Sequence, residues 1–270
     1  MGSAQQRDQV SGLEPVRLDV TRVVVLATDR PLTRKFAAGL PPDRLAGVIW
    51  ENRGVRERLR LWQRRVKRHG PVTTVSRLAA LGLDHLVHRF RSGRPGAVMP
   101  PPIAGITTRS VNHPSVIDTV RRWQPTLVVV AGTTLLGPAL LDALSQAVVV
   151  NVHVGRTPAY RGTHGGAWAV IEGRPEDVVT TVHLVDAGVD TGRPLAYLPV
   201  KVQPTMTGLA HAQLEAGLDW LGDVIASGGA RAGPAQDVPR TLPLRYPPTL
   251  RDWWRFRAAA RRLTQGCAHE

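Results

Sequence analysis

Asn151 and His153 occupy alternate positions at the end of an apolar run, AVVVNV over residues 147–152. Residues two apart on an extended strand face the same side, so a carboxamide and an imidazole arrive together. An amide N–H can donate to an oxygen that gains negative charge, and an imidazole exchanges protons near neutral pH. About thirty residues later, HLVDAGVDTGRPL (183–195) supplies Asp186 and Asp190. A carboxylate from this loop could orient the imidazole and raise its proton affinity. Taken singly, each has an ordinary use: a strand-end asparagine satisfies backbone groups, a histidine packs, an aspartate forms a turn. It is their combination that points to chemistry. His183 lies mid-strand and reads as a structural partner. His153, His164 and Asp190 are metal-ligand types, but with no HExxH and no cysteine pair a metal is not expected.

The surrounding pattern says what must hold these groups in place. Short β-branched runs at 22–27, 45–50, 126–131 and 147–152 read as buried strands. Helical spacing appears over 55–67, 75–90, 114–123, 138–144, 163–171 and 209–225, and a basic aromatic helix over 250–263. Further strands are expected near 107, at 178–185 and at 195–200. The βαβα rhythm predicts an α/β fold: a Rossmann-like, mostly parallel sheet with helices on both faces. Asn151 and His153 then lie at the carboxyl end of a strand, where open α/β sheets bind ligands. Residues 92–102, SGRPGAVMPPP, read as a surface loop.

The 270 residues are 43% hydrophobic, enough for one sizeable domain with a small appendage. No apolar run approaches the ~20 residues of a membrane span, and the polar opening lacks a signal-like apolar middle. We therefore expect a cytoplasmic protein with no membrane partner. A single cysteine, Cys267, allows no internal disulfide. The formal charge of +14 is carried almost wholly by arginine. It fits either an anionic ligand or a solvated basic face, and the densest run, 53–68, reads as one exposed helix side.

The stretch NVHVGRTPAYRG (151–162) followed by HLVDAGVDTGRPL resembles the folate-dependent formyltransferase family. The matching positions are Asn151 and His153, the loop 158–162, and Asp190 to Gly192; the resemblance is strong over about 105–200. It implies a formyltransferase fold, 10-formyltetrahydrofolate as the formyl donor and a small-molecule amine as acceptor. It implies catalytic roles for Asn151, as donor to a tetrahedral oxyanion, for His153, as the proton-exchanging group, and for Asp190, as its carboxylate partner in preference to Asp186. It places the pterin against the turn Ala131, Gly132, Thr134, Leu135 and Leu136 and against Val189. Tyr160 and Arg161 are expected to face the acceptor; His164 could touch it as well, or could equally cap a helix or simply be exposed.

The place after the first strand, Ala27-Thr28-Asp29-Arg30-Pro31, carries no glycine, which speaks against a phosphate cradle there and against glycinamide ribonucleotide. The tail, Arg245-Tyr246-Pro247-Pro248-Thr249-Leu250-Arg251-Asp252-Trp253-Trp254, resembles the ending of formyltransferases acting on nucleotide-linked amino sugars. That acceptor leads, with another amine of specialised metabolism open beside it. Methionyl-tRNA formylation, hydrolysis of the formyl donor and a non-enzymatic basic RNA-binding protein are the alternatives. Nucleic acid is disfavoured because no aromatic RNA-binding motif accompanies the charge, and a homodimer is allowed. The expected division is a disordered start at 1–16, a catalytic domain at 17–203 and a C-terminal helical extension at 204–270.

Overall fold

The computed structural model describes residues 16–92, 105–229, 231–232 and 243–266. Residues 1–15 of the expected disordered start, 93–102 of the expected glycine–proline loop and Cys267 lie outside the described residues. In chain order the elements are β1 Val16–Arg17, β2 Val23–Thr28, α1 Pro31–Gly39, β3 Leu45–Glu51, α2 Val55–His69, α3 Pro71–Ser92, β4 Ile106–Thr108, α4 Pro114–Trp123, β5 Leu127–Ala131, α5 Pro138–Ala143, β6 Val148–His153, α6 Gly165–Ile171, β7 Val179–Leu184, β8 Pro194–Pro199, α7 Met206–Ala226, β9 Arg231–Ala232 and α8 Leu250–Gly266. A 3-10 turn, Pro175–Asp177, precedes β7.

Seven strands form one sheet in the order β4-β3-β2-β5-β6-β7-β8. The pairs from β4 to β6 are parallel, and β6–β7 and β7–β8 are antiparallel. Strands β2 and β5 are buried along nearly their whole length, as central parallel strands covered on both faces must be. One apolar cluster joins Val23, Val25, Val129 and Val152 to α1 and α7 on one face; a second joins Val24, Leu26, Val128 and Val130 to α4 and α5 on the other. The sheet reverses direction of growth between β2 and β5, so the ends of β5 and β6 border the crevice where ligands of such folds sit.

Helix starts differ from the sequence expectation where local chemistry overrides periodicity. Helix α3 begins at Pro71, a residue suited to a first turn because it needs no N–H partner. Helix α7 begins at Met206 because the Thr205 hydroxyl accepts the Gly208 N–H. Helix α6 begins at Gly165, two residues late, because His164 takes a left-handed φ of 59°.

Helix α7, the first element beyond residue 203, packs against β6 and β7. The Thr180 hydroxyl donates to the Gln213 carbonyl at 2.6 Å, and the Gln213 amide donates to the Val179 carbonyl at 2.6 Å. A side chain at Gly217 would strike Val152, so only glycine admits this approach. The buried Asp84 of α3 accepts the Met206 N–H at 3.1 Å, the Thr207 N–H at 2.7 Å and the Trp253 indole N–H at 3.1 Å. One carboxylate thus ties α3, α7 and α8 together. Of the tail tryptophans, Trp253 is buried and Trp254 is exposed.

Candidate active site

Asn151 and His153 do project together from the end of β6, and Asp190 reaches both. The Asp190 Oδ2 lies 3.4 Å from His153 Nδ1, and its Oδ1 lies 3.5 Å from Asn151 Nδ2. Asp190 adopts φ of 50°, a left-handed conformation that aspartate tolerates better than most residues. Its Oδ2 also accepts the Gly162 N–H at 2.9 Å, which pins the carboxylate to the loop after β6. Asp186, the rival in the same loop, instead accepts the Gly188 N–H and the Thr191 hydroxyl as a local turn former.

The hydrogen-bond partners fix the tautomers, since a carbonyl oxygen can only accept. His153 Nε2 lies 2.8 Å from the Tyr160 carbonyl and therefore carries a hydrogen. In the neutral ring the Nδ1 lone pair then faces Asp190, acceptor against acceptor. A proton placed on Nδ1 converts this opposition into a charge-assisted hydrogen bond. His183 Nδ1 donates to the Leu184 carbonyl at 2.7 Å, and its Nε2 lies 3.0 Å from Asn151 Nδ2 and 3.6 Å from Asp190 Oδ1. This orients the carboxamide with its NH2 toward the site. Of its two N–H bonds, the long one to Asp190 is the easier for an incoming oxygen to replace.

Burial drives the His153 imidazole below its ordinary value of 6.5, and neighbouring His183 pushes the same way; Asp190 and the Tyr160 carbonyl oppose without prevailing. For Asp190, burial alone would raise the carboxyl; His183, His153 and the Gly162 N–H together bring it below the usual carboxylate range. At pH 7 the pair is therefore a neutral imidazole beside a carboxylate. A step that needs the neutral ring loses rate as pH falls through a value below 6.5. Asp190→Asn removes the charge that holds the imidazole up, so the acid limb of a pH–rate profile is expected to move to still lower pH. An upward shift would contradict this assignment.

The loop from β6 to α6 is fastened over His153. The Thr181 hydroxyl donates to the Gly155 carbonyl at 2.6 Å, and the Tyr197 hydroxyl donates to the Thr157 carbonyl at 2.5 Å. A Cβ on Gly155 would come within 3.0 Å of His153 Nε2 and 2.9 Å of the Tyr160 oxygen, so the loop closes this tightly only with glycine there. The expectation that the Tyr160 side chain faces the acceptor is corrected. Its ring is fully buried, and its hydroxyl donates to Glu172 at 3.0 Å; only its carbonyl reaches the site. Arg161 is half-buried and its carbonyl accepts the Arg245 N–H at 2.9 Å. Half-buried His164 has its imidazole lowered by desolvation, with Asp84 raising it and Arg65 lowering it.

The turn after β5 is rigidly braced. Thr134 donates through N–H and hydroxyl to Glu51 at 2.9 and 2.6 Å, and Glu51, fully buried, also accepts the Val111 N–H at 3.2 Å and Arg53 Nε at 3.1 Å. Asn112 bridges the Leu135 carbonyl and the Gly137 N–H at 2.9 and 2.6 Å. Ala131 is buried and Gly132 exposed, while exposed Leu135 and half-buried Leu136 and Val189 leave apolar surface available. Sequence reasoning did not single out Glu51. Its only sequence signal was a carboxylate at the end of a buried strand, which demands partners. Glu51→Ala leaves those donors unpaired and is expected to cost about 3 kcal/mol, readable as a lower urea midpoint.

The profile of the formyl transferase family matches residues 63–223, well over half of the sequence, and the chain belongs to that family. Among curated relatives, methionyl-tRNA formyltransferase of Trichlorobacter lovleyi is 33% identical over 145 residues, covering 49% of this chain and 45% of the relative. Phosphoribosylglycinamide formyltransferase of Mycobacterium tuberculosis is 36% identical over 135 residues, covering 47% and 60%. The chain thus aligns with about half the length of these relatives. A solved 4-N formyltransferase from Francisella tularensis shares the fold, with a TM-score of 0.50 at 11% identity over 89% of this chain and 88% of that one.

Proposed function

We propose that the chain transfers a formyl group from 10-formyltetrahydrofolate to a primary amine. The convergence of Asn151, His153 and Asp190 on one point carries this reading. The donor supplies a formyl carbon on an amine nitrogen that must be protonated before it leaves. The braced turn Ala131 to Leu136, with Val189, suits a flat heteroaromatic ring, offering backbone groups for its amide-like edge and apolar walls for its faces. Asn151 Nδ2 donates to the oxygen that becomes negative when the amine attacks. His153 Nδ1 takes the attacking nitrogen's proton, Asp190 stabilises the imidazolium so formed, and the same proton is returned to the leaving nitrogen. His183 holds Asn151 in the donating orientation.

For the acceptor we favour a nucleotide-linked amino sugar. The tail residues that suggested it lie beside the site loop: the Arg245 N–H and carbonyl bracket Gly162 through Arg161 and Thr163. The names of the relatives divide between methionyl-tRNA and a phosphorylated glycinamide, so they do not choose. Against the latter, the turn after β2 holds Asp29, bound to Arg34 at 2.6 and 2.8 Å, where a phosphate cradle would need open N–H groups. Purified protein given the donor is expected to release tetrahydrofolate only when an amine is added, and fastest with the amino sugar among a panel including methionyl-tRNA and glycinamide ribonucleotide. Release at the same rate without any amine would make it a hydrolase. No release at all would defeat the reading.

A further inference from the structure

Among the described residues, nine of the twelve large hydrophobic side chains left exposed fall between positions 55 and 90, on α2 and α3. Single exposed apolar residues need no explanation, but these are ordered. On α3, positions 72, 75, 79, 83, 86 and 90 follow a three-and-four spacing that forms one stripe along the helix. It includes Val72 at 81% and Phe90 at 79% exposure. The side of α3 that meets the rest of the protein carries Thr74, Ala80 and Asp84, so the stripe points outward. On α2, Val55, Leu59, Trp62 and Val66 make a second row at the same spacing.

The same hairpin concentrates the charge. Residues 55–92 hold ten arginines and lysines against Glu57 and Asp84, a balance of +8 out of the chain's +14. The exposed Arg64, Lys67 and Arg68 lie away from the α2 row, and the exposed Arg89 and Arg91 flank the stripe on α3. A helix with an apolar row, a cationic face and a tryptophan is built to lie at a boundary between oil and anionic water. Two copies of this face would bring +8 against +8, which disfavours self-association. RNA would use the charge but leaves the valine, leucine and phenylalanine stripe without a role.

We propose that the α2–α3 hairpin docks the protein onto the surface of a bilayer containing anionic phospholipid. This goes beyond the catalytic reading, does not depend on it, and departs from the expectation of no membrane partner. No helix among the described residues is long and apolar enough to span a membrane, so the attachment is peripheral. The apolar rows enter the headgroup boundary while the flanking arginines remain at the phosphates.

The test is co-sedimentation of the full chain with vesicles of phosphatidylcholine alone or mixed with phosphatidylglycerol, at physiological ionic strength. Binding to the mixed vesicles is expected to exceed binding to neutral ones by at least about tenfold. Val72→Glu with Phe90→Glu, both in solvent, should abolish it without lowering the melting temperature, as should Arg64→Glu with Lys67→Glu. Binding that survives the first pair overturns the proposal, as does failure of the wild type to sediment with either vesicle. A chain that ignores vesicles but binds single-stranded RNA, or dimerises through this stripe, overturns it too.

Discussion

His153→Ala is expected to lower turnover by roughly a hundred- to ten-thousand-fold, the range typical of losing a positioned acid–base group. The size follows from what no neighbour can replace. The His183 ring lies 6.3 Å away between ring centres, and its nitrogens are engaged by Leu184, Asn151 and Asp190. Asp190 is held ionised and would be too weak a base for an amine's proton without the ring to accept it first. Steady-state rates with donor and amine measure the loss, and an unchanged far-UV spectrum shows that the fold survives. A loss below tenfold would place proton transfer elsewhere.

Asn151→Ala ranks next, at on the order of a hundred- to a thousand-fold in kcat, the effect of removing one donor from a developing oxyanion. On the proposed role, in which the carboxamide acts mainly on the transition state, KM for either substrate should change little. Asn151→Asp is the sharper variant. It puts a second carboxylate about where the amide lies, 3.5 Å from Asp190, so like charges oppose each other and the oxyanion meets repulsion. Its rate is expected to be no better than that of the alanine variant. An aspartate variant near wild-type rate would show that the amide donor is not used.

Much of this was legible in residues 22–27, 126–131 and 147–152, whose β-branched runs admit little but buried strands and appear as β2, β5 and β6. The alternation of Asn151 and His153 was legible for the same reason: period two fixes a shared face before any partner is known. What the sequence could not supply was pairing. That His183 stands directly across from Asn151 depends on the antiparallel register of β6 and β7, a contact thirty-two positions apart. Asp190 and Asp186 differ in use: φ turns positive at Asp190, whose carboxylate accepts the Gly162 N–H, while Asp186 is spent on its own turn. Tyr160 misled because its position beside the site says nothing of which way its ring turns; Glu172 drew the hydroxyl inward. The arginine run at 53–68 was read correctly as a helix, while the apolar rows beside it show as an exposed pattern only once the buried face of α3 is known.

We propose that His153 and Asp190 act as one device. Turnover of His153→Ala, Asp190→Asn and the double variant, measured at one pH with saturating donor and amine, tests it most directly. Residues that work as a unit lose their function once, so the double variant is predicted to be no slower than His153→Ala within a few-fold. Losses that multiply across the two substitutions would mean that the carboxylate serves some task separate from the imidazole, and would contradict the mechanism.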